Sequence, residues 1–256
     1  MYIDAHAHLD DPVLAPREEE IIAAAREAGV GVIVNASSDL PSSRASVALA
    51  SRHDDVYAVI GVHPHEAKSY TAEVESALIT LAEERKVVAF GEIGLDYHYD
   101  LSPRDVQKSV LEREIQLAAE LKFPVVFHVR EAYEDFNAVI ERNSRYLTRG
   151  ALLHCYGGSA ELAKYYSKKL DAYFSFGGVL TFAKHKEEVL AAIPADRLLL
   201  ETDCPYMTPV PHRGTPNEPK YIPIVAEKMA ALKGLTREET EHMTTENALR
   251  FYSIKL

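Results

Sequence analysis

Eight short runs of apolar, strand-favouring residues recur along the chain: YIDAHAH, GVIVNAS, VYAVIGVH, VVAFGEIG, FPVVFHV, GALLHCY, AYFSFGG and RLLLETD. They begin at intervals scattered around ~30 residues, the repeat expected when a chain of this length is divided among eight β/α units. Helix-period segments lie between them. The clearest is PRDVQKSVLEREIQLAAELK, in which Val106, Val110, Leu111, Ile115, Ala118 and Leu121 share one broad face and Pro103 suits the first turn. Several strand runs are continuously apolar, as parallel strands covered on both faces are. No Gly- or Ser-rich stretch divides the chain. The pattern therefore predicts one α/β domain over residues 1–256, a (β/α)8 TIM barrel closed by helices across YIPIVAEKMAALKG and TREETEHMTTENALRFY. A doubly wound open sheet is the alternative, because sequence order does not report strand order.

Composition narrows the function classes. The 256 residues are 47% hydrophobic and 26% charged, which suits a globular chain with a sizeable core. No apolar run approaches the ~20 residues that span a bilayer. The N-terminus MYIDAHAHLD is acidic and His-bearing, unlike a basic, apolar signal peptide. A cytoplasmic protein with no membrane contact is expected, and Cys155 and Cys204, the two cysteines, fit that compartment. A net charge of −11 speaks against coating nucleic acid nonspecifically. It leaves room for an enzyme that draws one phosphodiester into a local cationic site.

The chemically loaded residues follow the apolar runs. His6 and His8, two apart on the first strand, share a face, so two imidazoles can reach one metal. Glu92 follows VVAF, His128 ends PVVF, His154 ends ALL and Asp203 closes LLLE, all read as C-terminal strand ends. In a barrel those ends converge on one mouth. Burying so many imidazoles and carboxylates without partners is costly, whereas divalent cations offset the carboxylate charge and use the imidazole lone pairs. A metal site of His6, His8, Glu92, His128, His154 and Asp203 is expected.

In order, IDAHAHLD, GVHPHEA, GEIGLDYHYD, PVVFHVREA, LLHCYGG and LLLETDCPYMTPVPHRGTPNEP closely resemble the TatD family of metal-dependent deoxyribonucleases, within the amidohydrolase-like barrels. The resemblance spans nearly the whole chain. It implies a metallo-dependent hydrolase acting on DNA through two divalent ions (Mg, Mn or Zn). One ion would lie near His6, His8 and Asp203 and the other near His128 and His154, with Glu92 between them. It also makes His63 a candidate for touching substrate phosphate, set against a role in orienting a ligand. Cys204 stands where Ser is more common in the family, and HCY where HCF is frequent.

Catalysis is assigned to Glu92, Asp203 and His63, with Asp203 read as ligand, general base or both. Glu201 is read as support for the site or a structural partner. Arg130 and Arg213 are candidate phosphate contacts, set against ordinary surface arginines. Tyr97 and His98 can stack on a base or line the cleft, set equally against a Tyr packed at the rim. With no Trp, a stacking platform must use residues such as Tyr97, Tyr99, Tyr156 or Tyr206. His53, His185 and His242 read as surface helix residues. The absence of a broad basic charge balance favours a strand end over a long duplex footprint, so an exonuclease leads. The resemblance points the same way and implies 3′ to 5′ removal from single-stranded DNA or strand ends, and no obligate protein partner is inferred. Hydrolysis of a carbonyl substrate such as an aminoacyl-tRNA ester, a lactone or an amide competes with it. So does a noncatalytic, metal-stabilised binding scaffold.

Overall fold

The computed structural model describes residues 1–256. Each predicted run supplies one strand: β1 (Tyr2–Ala7), β2 (Val30–Ala36), β3 (Val56–Ile60), β4 (Val87–Asp96), β5 (Val125–Arg130), β6 (Ala151–Leu153), β7 (Tyr173–Phe176) and β8 (Leu198–Leu200). They form one sheet in the order β1 to β8, every neighbouring pair parallel. That order discards the open sheet, in which strand order reverses at a switch point. The edges meet just past β8: Asp203 N donates to His6 O, and His8 N donates to Cys204 O, both at 2.9 Å. The barrel is thus closed by the segment that carries Asp203.

Helices α1 (Glu18–Glu27), α2 (Leu40–Arg52), α3 (Ala72–Leu81), α4 (Arg104–Leu121), α5 (Tyr133–Asn143), α6 (Ala160–Leu170) and α7 (Lys186–Ala192) fill the crossovers. The closing pair is α8 (Ile222–Lys233) and α9 (Arg237–Tyr252). Their ends follow local chemistry. Asp39 accepts from Ser42 N while the Ser42 hydroxyl answers the Asp39 N–H, a reciprocal cap that starts α2. Gly234, at φ +68°, ends α8 in the left-handed conformation.

Strand alternation sorts the core into two layers. Ile33, Ile60, Phe90, Phe127, Phe174 and Leu200 pack with the surrounding helices. Val32, Val34, Val59, Val126, Leu152 and Leu199 fill the interior, where Phe251, Tyr252 and Ile254 join them from the end of the chain. Tyr252 Oη donates to Ala5 O at 2.7 Å, pinning that plug to β1.

Local details depart from the sequence reading. β6 and β8 stop after three residues, so His154, Glu201 and Asp203 stand just beyond their strands. Glu92 lies inside β4 rather than at its end, in a stretch where the register with β5 shifts between Phe90 and Ile93. Such irregularities re-aim side chains. Gly94 permits the close approach there, since a Cβ would fall 1.8 Å from the His128 carbonyl oxygen. Pro103 caps α4 from outside the first turn. The buried face of α4 includes Gln107 and Glu114 as well as Val110, Leu111, Ile115 and Ala118. His53 is not a surface residue: it is 6% exposed, with Nε2 2.7 Å from Glu18.

Candidate metal centre

Six side chains meet at the mouth, His6 from β1, Glu92 from β4, His128 from β5, and His8, His154 and Asp203 from just beyond β1, β6 and β8, and Glu92 stands between two groups of them. Its Oε2 lies 3.2 Å from His6 Nε2 and 3.7 Å from His8 Nε2. Asp203 Oδ1 completes that side, 3.4 Å from His8 Nε2 and 3.9 Å from His6 Nε2. Glu92 Oε1 faces the other way, 2.6 Å from His154 Nε2 and 2.9 Å from His128 Nδ1.

The donor set fits divalent cations. His6 Nε2 and His8 Nε2 are 3.3 Å apart, and His128 Nδ1 and His154 Nε2 are 3.2 Å apart. Ligands at 2.0–2.1 Å from a tetrahedral ion stand about 3.3 Å from one another. The outer ring nitrogens decide which atoms are free. His8 Nδ1 lies 2.9 Å from Ala36 O, which accepts its proton and leaves Nε2 with a lone pair facing the site. His128 is reversed: Nε2 donates to Asp96 Oδ2 at 3.0 Å, and Nδ1 faces Glu92. His6 and His154 stack in parallel, ring centroids 3.9 Å apart, and each keeps a buried Nδ1 without a hydrogen-bond partner.

Electrostatics point the same way. Burial alone would push the Glu92 carboxyl up, but the imidazoles of His154, His6 and His63 and the bond from His128 hold it well below the ordinary carboxylate range. Burial likewise opposes ionisation of Asp203, but the bond from His8 together with the charges of His154, His8 and His6 holds its carboxyl below the ordinary value. Burial lowers His8, yet Asp203 and Glu92 bring it up to about 9; His154 rises against burial, mainly through Glu92, to about 10. Burial and the neighbouring His154 instead take His6 down to about 4. Protons on His8 and His154 therefore occupy places that cations can take, with release of those protons.

Several supporting residues escaped the sequence reading. Asp96, wholly buried, faces His128 and also His65 Nε2 at 3.0 Å, and accepts from the backbone N–H of His98 and Tyr99. Gln107 on α4 grips the same residue, accepting from Asp96 N at 2.9 Å and donating to Asp96 O at 3.2 Å. About two turns further along the same face of the helix, Glu114 accepts from Val62 N at 2.8 Å, immediately before His63. Asp4 takes Thr202 N and its hydroxyl at 2.9 and 2.6 Å, tying β1 to the segment of Asp203. Glu201, which the sequence did mark as support for the site or a structural partner, accepts from Cys155 N and Ser175 Oγ and so braces the turn after His154. The available signal was the LDYHYD run for Asp96 and polar residues on an apolar helix face for Gln107 and Glu114.

The remaining predicted residues divide. His63 Nδ1 accepts from His65 N at 3.1 Å, so its proton sits on Nε2, 3.6 Å from Glu92 Oε1. Arg130 lies over the Tyr99 ring at 4.9 Å, and Arg213 lies over Phe182 at 4.2 Å with Nη1 bonded to Thr208 O. Tyr97 is engaged away from the cluster: its hydroxyl donates to Asp135 at 2.6 Å and Arg104 covers one face. His98 pairs with Glu131, and Tyr156 is buried, so neither is an open platform.

Barrels that collect imidazoles and carboxylates at this end use them to hold divalent cations and direct water at an electrophile, the work of metal-dependent hydrolases. The chain belongs to the TatD family: the model of TatD related DNases matches residues 3–253. It is 43% identical to the metal-dependent hydrolase YabD of Bacillus subtilis, across 99% of this chain and 100% of that one. It is 35% identical to the 3′-5′ ssDNA/RNA exonuclease TatD of Pantoea ananatis, across 98% and 99%. The crystal structure of the TatD homologue YJJV from Escherichia coli superposes with a TM-score of 0.92 at 29% identity, covering 99% of this chain and 98% of that one. This protein is a metal-dependent hydrolase of that family.

Proposed function

We propose that the enzyme removes nucleotides from single-stranded DNA ends in the 3′ to 5′ direction. The observation that carries this reading is the two-sided environment of Glu92, one carboxylate oxygen facing His6 and His8 and the other His128 and His154. His6, His8 and Asp203 would hold one divalent cation, His128 and His154 a second, and Glu92 would touch both. When bound, such a pair supplies charge for the phosphate oxygens and acidifies a water. The named activity of the Pantoea relative supports the choice of a nucleic-acid end.

The chain's own groups divide the remaining work. Asp203, held ionised, accepts the proton of the attacking water at its carboxylate. His63, driven well below its ordinary range by burial and by His128, stays neutral and presents Nε2–H to a phosphate oxygen. Arg130 and Arg213 have no carboxylate partner and offer planar donors to flanking phosphates. Both cysteines are free thiols, which suits work in the reducing cytoplasm.

The test is digestion of 3′- and 5′-labelled single-stranded DNA, supplemented with Mg²⁺ or Mn²⁺, by the wild type and by Glu92→Ala prepared identically. Immediate release of the 3′ label and stepwise shortening of the 5′-labelled strand, both lost in the variant, are expected. No shortening by the wild type would overturn the reading in favour of a carbonyl substrate, and equal activity in both would trace it to a contaminant.

A further inference from the structure

Large exposed hydrophobic side chains are unevenly placed on this barrel. Apart from Met1 and Leu256 at the termini and Ile79 on α3, all of them lie in loops that leave the C-terminal ends of strands. Tyr99 (55% exposed) and Leu101 follow β4, Phe182 (41%) follows β7, and Tyr206 (53%), Met207 and Val210 follow β8. The apolar surface therefore forms a broken ring around the metal mouth.

Contacts tie the ring to the cluster on both sides. The Tyr206 ring lies 6.2 Å from that of His8, and its hydroxyl is held by Asp11 at 3.0 Å. The Tyr99 ring lies 5.4 Å from His65, whose own ring is 4.2 Å from His63. Val210 N donates to Thr181 Oγ1 at 2.9 Å, joining the loop after β8 to the one that presents Phe182. Two aromatic rings carry an arginine, Arg130 on Tyr99 and Arg213 on Phe182, and neither guanidinium has a carboxylate partner.

We propose that this ring is a stacking rim for the unpaired bases of single-stranded nucleic acid, with Phe182 and Tyr206 on one side of the metal mouth and Tyr99 on the other. The inference rests on the nuclease reading and adds what selects the strand. Unpaired bases expose flat apolar faces that cover such rings, while a duplex hides those faces and presents phosphates and groove edges. Phosphate attraction alone is a poor anchor on a chain of net charge −11. The arginines then take the phosphates between stacked bases, so that base and backbone are recognised by one pair of side chains.

The test is fluorescence anisotropy of a short, labelled single-stranded oligonucleotide with a cleavage-resistant phosphorothioate backbone, titrated with the metal-loaded enzyme. Phe182→Ala and Tyr206→Ala should each weaken binding about tenfold, the scale of one lost base–aromatic stack. Phe182→Tyr should retain affinity, Ile79→Ala should leave it unchanged, and the blunt duplex of the same sequence should bind less tightly than the single strand. Unchanged affinity in both alanine variants, or equal affinity for duplex, would overturn the rim. So would sedimentation as a dimer that Phe182→Ala dissociates, which would give the ring to a second copy of the chain. Cleavage of ordinary single-stranded DNA is scored separately: rim-dependent binding without cleavage sinks only the exonuclease activity, and cleavage with rim-independent binding sinks only the rim.

Discussion

At the base of the barrel Val126, Leu152 and Leu199 meet Phe251, Tyr252 and Ile254. Two residues further along the same strand directions stand His128, His154 and Glu201. One end is an apolar plug whose contacts, the Tyr252 bond to Ala5 O apart, are interchangeable in kind, since an apolar group of the right volume serves. The other end holds buried imidazoles and carboxylates with fixed partners, among them two ring nitrogens left bare. Burial without matched partners costs stability, so the mouth is held in place by what surrounds it and the base supplies the surplus. Stability and chemistry are thus divided between the two ends of a single strand.

Substitutions can break that separation. The largest effect is expected at the base: Phe251→Ala should cost about 3–5 kcal/mol in denaturant unfolding and leave turnover per folded molecule unchanged. A fall in turnover at full folding would show that the plug reaches the site.

A smaller effect belongs to the mouth. Asp96→Asn removes the charge that fixes the His128 proton on Nε2. It should weaken metal affinity about 10–100-fold in chelator competition, with far-UV circular dichroism intact. Unaltered affinity would make Asp96 a purely structural residue.

The smallest effect sharpens the border between the two regions, where Glu114 of α4 holds Val62 N. Burial drives its carboxyl well above the ordinary value of 4.5, so the folded state keeps a proton that the unfolded state releases. Stability must then fall as pH rises above that unfolded value, by about 1.4 kcal/mol per pH unit until the folded group ionises. Glu114→Gln keeps an acceptor for Val62 and removes the titration. Its stability relative to wild type should climb in urea melts as pH rises above that unfolded value, and parallel pH profiles would refute the assignment.

The division also explains what was legible in the sequence. Strands were readable because each buries both faces, so apolar runs such as VVAF and RLLLE mark them without knowledge of neighbours. The six clustered side chains were readable because imidazoles and carboxylates at strand ends have no cheap apolar explanation. Asp96, Gln107 and Glu114 were not, because their partners are backbone groups and side chains brought near only by the fold. An apolar count along α4 sees Val110, Leu111 and Ile115 and treats the polar positions between them as exposed, whereas Gln107 and Glu114 are 1% exposed. The two readings of Tyr97 stayed open for a related reason: sequence puts it beside Asp96, and only the packing of α4 and α5 shows Arg104 on its ring and Asp135 on its hydroxyl.

In the proposed arrangement one carboxylate, Glu92, serves two metal sites. Elemental analysis of the protein after equilibration with Mn²⁺ and removal of free ion tests it directly. Two ions per chain in the wild type, with occupancy of both sites weakened in Glu92→Ala, is the predicted result. A single ion per chain in the wild type, or two retained without Glu92, would contradict it.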